Sequence, residues 1–217
     1  RPAAPDRAHE HAQLSAGPRA AVLADIYRDD INLAVWTRTL RPEIRSAAGL
    51  VATRSQPAQL SLAVSPSTAR SSVSGALGLD ARDPLCDDIA ELVEMFSDLF
   101  GCSRTGLRFT TLERPMCPRF HVDHLGCRLI TTYTGVATEW LSHACVDRAR
   151  LGMASAGLAD HESGLYASEH DIQRLGPGDV ALLKGEGWEG NEGRGIVHRS
   201  PAVPAGDERL MLTLDIL

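Results

Sequence analysis

The chain has 217 residues, 43% of them hydrophobic, and a formal net charge of −6. That length suits one domain with a sizeable core, the acidic balance argues against a nucleic-acid partner, and no apolar run approaches the ~20 residues that span a bilayer. Lys184 is the single lysine among the basic residues, and the five cysteines include no CxxC pair, which fits reduced thiols in a cytoplasm.

Residues 1–18, "RPAAPDRAHEHAQLSAGP", are rich in Ala, Pro and charge and predict a flexible tail. His9 and His11 lie in it, either solvated or offered to a metal. The chain opens on Arg1 rather than methionine, and no signal peptide is legible, so a trimmed leader stays open. Residues 19–29 predict a short helix, "INLAVW" a strand, and "RPEIRSAAGLVA" a helix with Pro42 in its first turn. "LSLAV" predicts a strand, and "SPSTARSSVSG" a small polar loop. The clearest helix runs from about Pro84 to Phe100: Asp83 caps it, Leu85, Ile89, Leu92, Val93 and Phe96 recur at helical spacing, and Gly101 stops it.

After Gly101 the pattern turns to strands: "TGLRFTTL", "RFHVD", "CRLITTY", "DVALLKG", "GIVHRS" and "RLMLTLDIL", divided by Gly, Pro and Asp turns. Helices followed by strands predict an α+β domain over 19–217, with helical and mixed support in 19–104 and a β core of jelly-roll type in 105–217.

The core carries a constellation. In a strand, residues i and i+2 share a face, so His121 and Asp123 of "HVD" aim a nitrogen and a carboxylate at one point. His198 in "GIVHRSP" supplies a second imidazole, and Arg209 follows it in the last strand. There Arg209, Met211, Thr213 and Asp215 share one face while Leu210, Leu212, Leu214 and Ile216 share the other. Two histidines and a carboxylate are the facial triad of non-haem Fe(II) sites, and an inward arginine suits a carboxylate.

The layout "HVDHLGCRLITTYTGVATEWL … LGPGDVALLKG … VHRSPAVPAGDERLMLTLDI" resembles the 2-oxoglutarate- and Fe(II)-dependent dioxygenases, particularly their prolyl-hydroxylase-like branch. The resemblance implies a double-stranded β-helix with helices on one sheet. It implies iron on His121, Asp123 and His198, and the far carboxylate of 2-oxoglutarate on Arg209. Tyr133 or Thr131 would assist with the co-substrate, and Lys184 either assists or ends its strand in solvent. A longer similarity, in "NLAVWTR", "MCPRFHVD", "TEWL", "GDVALLKGEGWEGNEGRGIVHRSP" and "LTLDIL", is to the bacterial family called domain of unknown function 1826, whose members often neighbour genes for zinc handling. The chain departs from that pattern at "YTGVATEWL", so the turn before Glu139 and Trp140 is expected to differ.

Further substrate contacts are expected from Arg119, if it faces inward rather than to the surface, and from Glu139 and Trp140. "GEGWEG" formally matches GxGxxG, but no helix follows it and Glu186, Glu189 and Glu192 would repel phosphate. It reads as a lid presenting Trp188 and Asn191, or as a structural loop. His124, Cys117 and Cys127 lie near "HVD" without the paired-cysteine spacing of a closed zinc site. The reading is therefore a cytoplasmic Fe(II)/2-oxoglutarate oxygenase acting on a small-molecule or protein substrate, with no membrane partner. The rivals on the same ligands are a zinc-binding protein of metal homeostasis, and a Zn-dependent hydrolase with Glu139 or Glu186 as base.

Overall fold

The computed structural model describes residues 13–155 and 157–217. Its strands in chain order are β1 (Gln13–Gly17), β2 (Ile31–Trp36), β3 (Gln59–Val64), β4 (Thr105–Leu112), β5 (Cys127–Thr134), β6 (Glu139–Leu141), β7 (Ile172–Arg174), β8 (Val180–Lys184), β9 (Val197–Arg199) and β10 (Arg209–Ile216). They form a seven-stranded sheet, β1-β2-β8-β5-β10-β4-β3, and a three-stranded sheet, β7-β6-β9. Every pairing is antiparallel except β1 with β2. With helices α1 (Pro42–Ala52), α2 (Pro66–Leu77) and α3 (Pro84–Phe100), the fold is a mixed α+β one of two open sheets. Among the described residues no helix is long and apolar enough to cross a membrane.

The alternation in β10 sorts the two sides of the large sheet. Leu210, Leu212 and Leu214 join Leu107, Phe109, Leu129, Val180 and Leu182 in a core against the helices, where α3 inserts Leu85, Ile89, Leu92 and Phe96. The opposite side, through Ile130, Ala181, Leu183 and Met211, forms a second core with Ala137, Leu175 and Ile196, over which the small sheet lies. α3 starts and stops as its sequence predicts: the Asp83 carboxylate accepts from the Leu85 N–H at 2.9 Å, and Gly101 closes the helix in the left-handed conformation.

Three expectations give way. The tail over 1–18 does not extend through Gln13–Gly17, which pair in parallel with β2, and Ser15 hydrogen-bonds Asp25; His9 and His11 lie outside the described residues. "SPSTARSSVSG" is a helix, α2, not a loop. Its Ser65 and Thr68 form a capping box, and Ala69, Val73 and Leu77 make a buried stripe at helical spacing, which offsets the weak propensity of its serines. Nor do residues 19–104, expected as helical and mixed support, stand outside the β core: their strands β2 and β3 belong to the large sheet itself.

Candidate metal centre and its cleft

"HVD" is not a strand. His121 forms a single antiparallel bridge with His198 of β9, each N–H donating to the other's carbonyl at 3.0 Å. In such a pair the side chains stand directly opposite, and the two imidazole centroids are 4.5 Å apart. Asp123 completes the group: its Oδ1 is 3.9 Å from His121 Nε2 and its Oδ2 3.7 Å from His198 Nε2. One ligand atom from each residue lies within 4.8 Å of the others. The backbone around Asp123 is held by the glycine-rich loop, whose Glu186 N–H donates to the Asp123 carbonyl at 2.8 Å. A Cβ on Gly185 would collide with the carbonyls of Leu125 and Asp123, and one on Gly187 with that of His124. The glycines of "GEGWEG" thus permit a backbone clamp.

The ring tautomers suit a cation. His121 Nδ1 lies 2.9 Å from the Arg119 carbonyl and His198 Nδ1 3.1 Å from the Ile196 carbonyl. A carbonyl only accepts, so each Nδ1 carries the proton and each Nε2 presents its lone pair toward Asp123. Burial, aided by the neighbouring His121, pushes His198 down to about 4, so it stays neutral as a ligand must. Asp123 is oriented by Arg128, which donates to Oδ2 at 2.9 Å and is itself clamped by Asp215 through Nε (2.7 Å) and Nη2 (2.9 Å). This borderline N,N,O donor set fits Fe(II), and it would also accept Zn(II).

Both histidines line a cleft of about 580 Å³, its open mouth included, with Arg108, Met116, Ile130, Thr138, Ser200, Arg209 and Met211 also in its wall. Arg209 is 1% exposed. Its Nη1 donates to Ser200 Oγ at 2.7 Å and its Nη2 to Thr138 Oγ1 at 2.8 Å, while its Nε has no acceptor. No described carboxylate forms an ion pair with it, and burial lowers it to about 10 against the distant pull of Glu139.

The other expected site residues are placed elsewhere. Tyr133 and Thr131 sit on the helix side of β5, and Tyr133 donates to Asp88 Oδ2 at 2.6 Å; the inward hydroxyl is that of Thr132, 3.4 Å from Arg209. Lys184 shares parity with Val180 and Leu182, which face the helices, so it is neither in the cleft nor in solvent. It is buried over the Trp188 ring and donates to the Arg28 carbonyl at 2.9 Å. Trp188 packs on Tyr27 and Phe100, and Asn191 is buried on the Gly185 carbonyl, so neither belongs to a lid. Arg119 turns to Ser155, Leu158 and Asp160. Glu139 is locked between Arg174 and Arg199; burial would raise its carboxyl, but the two guanidinia hold it below the ordinary range. Trp140 stands opposite His198 in the β6–β9 register and packs on the inter-sheet core. Cys127 is buried against the helices, while Cys117 lines the cleft.

Sequence reasoning missed Arg128, Thr138, Ser200 and Arg108. Arg128 was legible by parity, being on the Ile130 and Thr132 face of β5 and opposite Asp215 of β10.

No curated protein matches the sequence. Among solved structures, a dioxygenase for auxin oxidation from rice superposes with a TM-score of 0.50 at 13% identity, over 95% of this chain and 83% of that one. A prolyl-4-hydroxylase from Pseudomonas putida gives 0.46 at 13% identity, over 91% and 97%. The α-ketoglutarate-dependent epimerase SnoN from nogalamycin biosynthesis gives 0.46 at 13%, over 90% and 80%. Likeness at such identity is likeness of fold. At the level of sequence, the model of the family described as "Protein of unknown function (DUF1826)" matches residues 17–215, and the chain belongs to that family.

Proposed function

We propose that the protein is a non-haem Fe(II)- and 2-oxoglutarate-dependent oxygenase built on a double-stranded β-helix. The observation that carries this reading is Arg209, a buried guanidinium without a carboxylate partner in the wall of the cleft that holds the His121–Asp123–His198 group. A buried charge left unpaired costs several kcal/mol, and a dicarboxylate co-substrate supplies the missing partner. Ser200 and Thr138 fix the guanidinium at Nη1 and Nη2 and leave its charge without an anion among the described residues. Fe(II) on these residues would, with 2-oxoglutarate as electron donor and dioxygen as oxidant, supply the chemistry for attack on a C–H bond. His121 and His198 present their Nε2 atoms, Arg128 holds Asp123 in place, and Ile130 and Met211 give the cleft an apolar wall. The five free cysteines suit a reducing compartment such as the cytoplasm.

The zinc readings leave more unexplained. A carrier has no use for Arg209, and a hydrolase lacks its base: Glu139 is held by two arginines, and Glu186 by Arg148 and the Gly193 and Gly195 N–H groups.

Calorimetric titration of 2-oxoglutarate into the Mn(II)-loaded protein tests the proposal. Arg209→Met is expected to weaken binding by about 30-fold or more, the cost of leaving a carboxylate without its charged partner. Equal affinities in parent and variant would overturn it.

A further inference from the structure

The chain is acidic overall, yet among the described residues the cleft is lined by four arginines, Arg108, Arg128, Arg199 and Arg209, and its nearest carboxylate is that of Asp123, set behind the two histidines. Two of the four are neutralised. Arg128 is paired with Asp123 and Asp215, and Arg199 with Glu139 and Asp160. Arg209 is taken by the co-substrate in the reading above. That leaves Arg108, which is exposed and whose side chain makes no hydrogen bond or ion pair with any described residue.

Its place follows from strand register. Leu107 and Phe109 of β4 point to the helices, so Arg108 rises on the cleft side. It is opposite Thr213 of β10, which is opposite Ile130 of β5, so Ile130, Thr213 and Arg108 form one cross-strand row. Arg209 is on β10 too, two alternations away from Thr213. At ~3.4 Å per residue along a strand and ~4.8 Å between strands, the backbones of Arg108 and Arg209 stand roughly 14 Å apart. Two cations built that far apart suit two anions rather than one. Between them on this face stand Thr110, Met211 and Thr213, and an apolar strip runs beside them: Ile130 across β10 and Met211 are nearly buried, and Met116 is 54% exposed at the mouth. An unbranched thioether adapts to an aliphatic chain.

We propose that the substrate is a small aliphatic carboxylate, its carboxylate held by Arg108 and its chain laid along Met116, Ile130 and Met211 toward His121 and His198. The inference rests on the oxygenase reading and deepens it. A single free guanidinium matches a monoanion through its two-pronged donor geometry, whereas a phosphate dianion would call for a second cation.

The test is calorimetry at low salt with octanoate, octyl phosphate and octanol, on the Mn(II)- and 2-oxoglutarate-loaded protein and on the metal-free protein. Octanoate is expected to bind the parent more tightly than octanol does. Arg108→Gln is expected to weaken octanoate by about tenfold, as loss of a charge-assisted pair does, and to leave octanol and 2-oxoglutarate affinities unchanged. Arg108 has no side-chain partner among the described residues to lose, so the variant is expected to keep its fold. Equal binding of octanoate and octanol in the parent, or of octanoate in parent and variant, would overturn the proposal, as would tighter binding of octyl phosphate than of octanoate. Failure of 2-oxoglutarate to bind would instead sink the oxygenase reading, while the octanoate comparison on metal-free protein still reports on Arg108.

Discussion

Two arginines, Arg38 partly buried and Arg209 fully buried, lie on opposite sides of the large sheet, and they are treated differently. On the helix side Arg38 holds Asp88 through two hydrogen bonds, 2.7 and 3.0 Å, and Tyr133 donates to the same carboxylate. Burial alone would lower Arg38, but Asp88 outweighs it and the group is raised. On the cleft side Arg209 is deeper still, is hydrogen-bonded among the described residues to hydroxyls alone, and is lowered by that burial. The contrast separates a structural charge from a functional one. Where the fold needs a buried cation it brings an anion along; where a ligand is to be bound the anion is left out.

The contrast can be broken in stages. The largest effect is expected from Asp88→Ala, which strands Arg38: about 3–5 kcal/mol of stability should be lost in urea unfolding. Next is acid. His198 is depressed to about 4 in the folded chain, against the ordinary 6.5 when unfolded. The unfolded state therefore binds more protons between those values, and stability falls as pH drops from about 6.5 toward 4. In metal-free protein that loss should be on the order of 3 kcal/mol and should shrink in His198→Gln, read from chemical unfolding across the window. Arg128→Gln should keep the fold but loosen the hold on Asp123, weakening Mn(II) binding by about 10–100-fold in a metal titration. The smallest effect is the most telling. Arg209→Met removes an unpaired buried charge, so without ligand its stability should stay within ~1 kcal/mol of the parent or rise; a loss as large as that of Asp88→Ala would mean that Arg209 is structural after all.

The same two sides explain what was legible in the sequence. Asp83, the stripe from Leu85 to Phe96 and Gly101 spelled out α3, and β10 displayed its two faces because one is wholly aliphatic. His121, Asp123, His198 and Arg209 were legible as residue types in order, although His121 meets His198 through an isolated bridge and neither it nor Asp123 lies in a strand. Tyr133 and Lys184 were misplaced because β5 and β8 are buried on both sides. There a polar residue does not declare which side it faces, and Asp88 and the Arg28 carbonyl, which satisfy these two, are remote in sequence. Trp188 and Asn191 belong to a loop whose glycines looked like a lid's and instead admit the Asp123–Leu125 backbone. α2 was hidden by its serines, though Ala69, Val73 and Leu77 carried its period.

The most direct measurement is an anaerobic titration of the metal-free protein with Fe(II) and 2-oxoglutarate, followed by visible absorption. The account expects a weak charge-transfer band in the parent, absent in His198→Ala and requiring far more 2-oxoglutarate in Arg209→Met. No band in the parent, with tight Zn(II) binding that His121→Ala abolishes, would contradict it and assign the same three ligands to zinc.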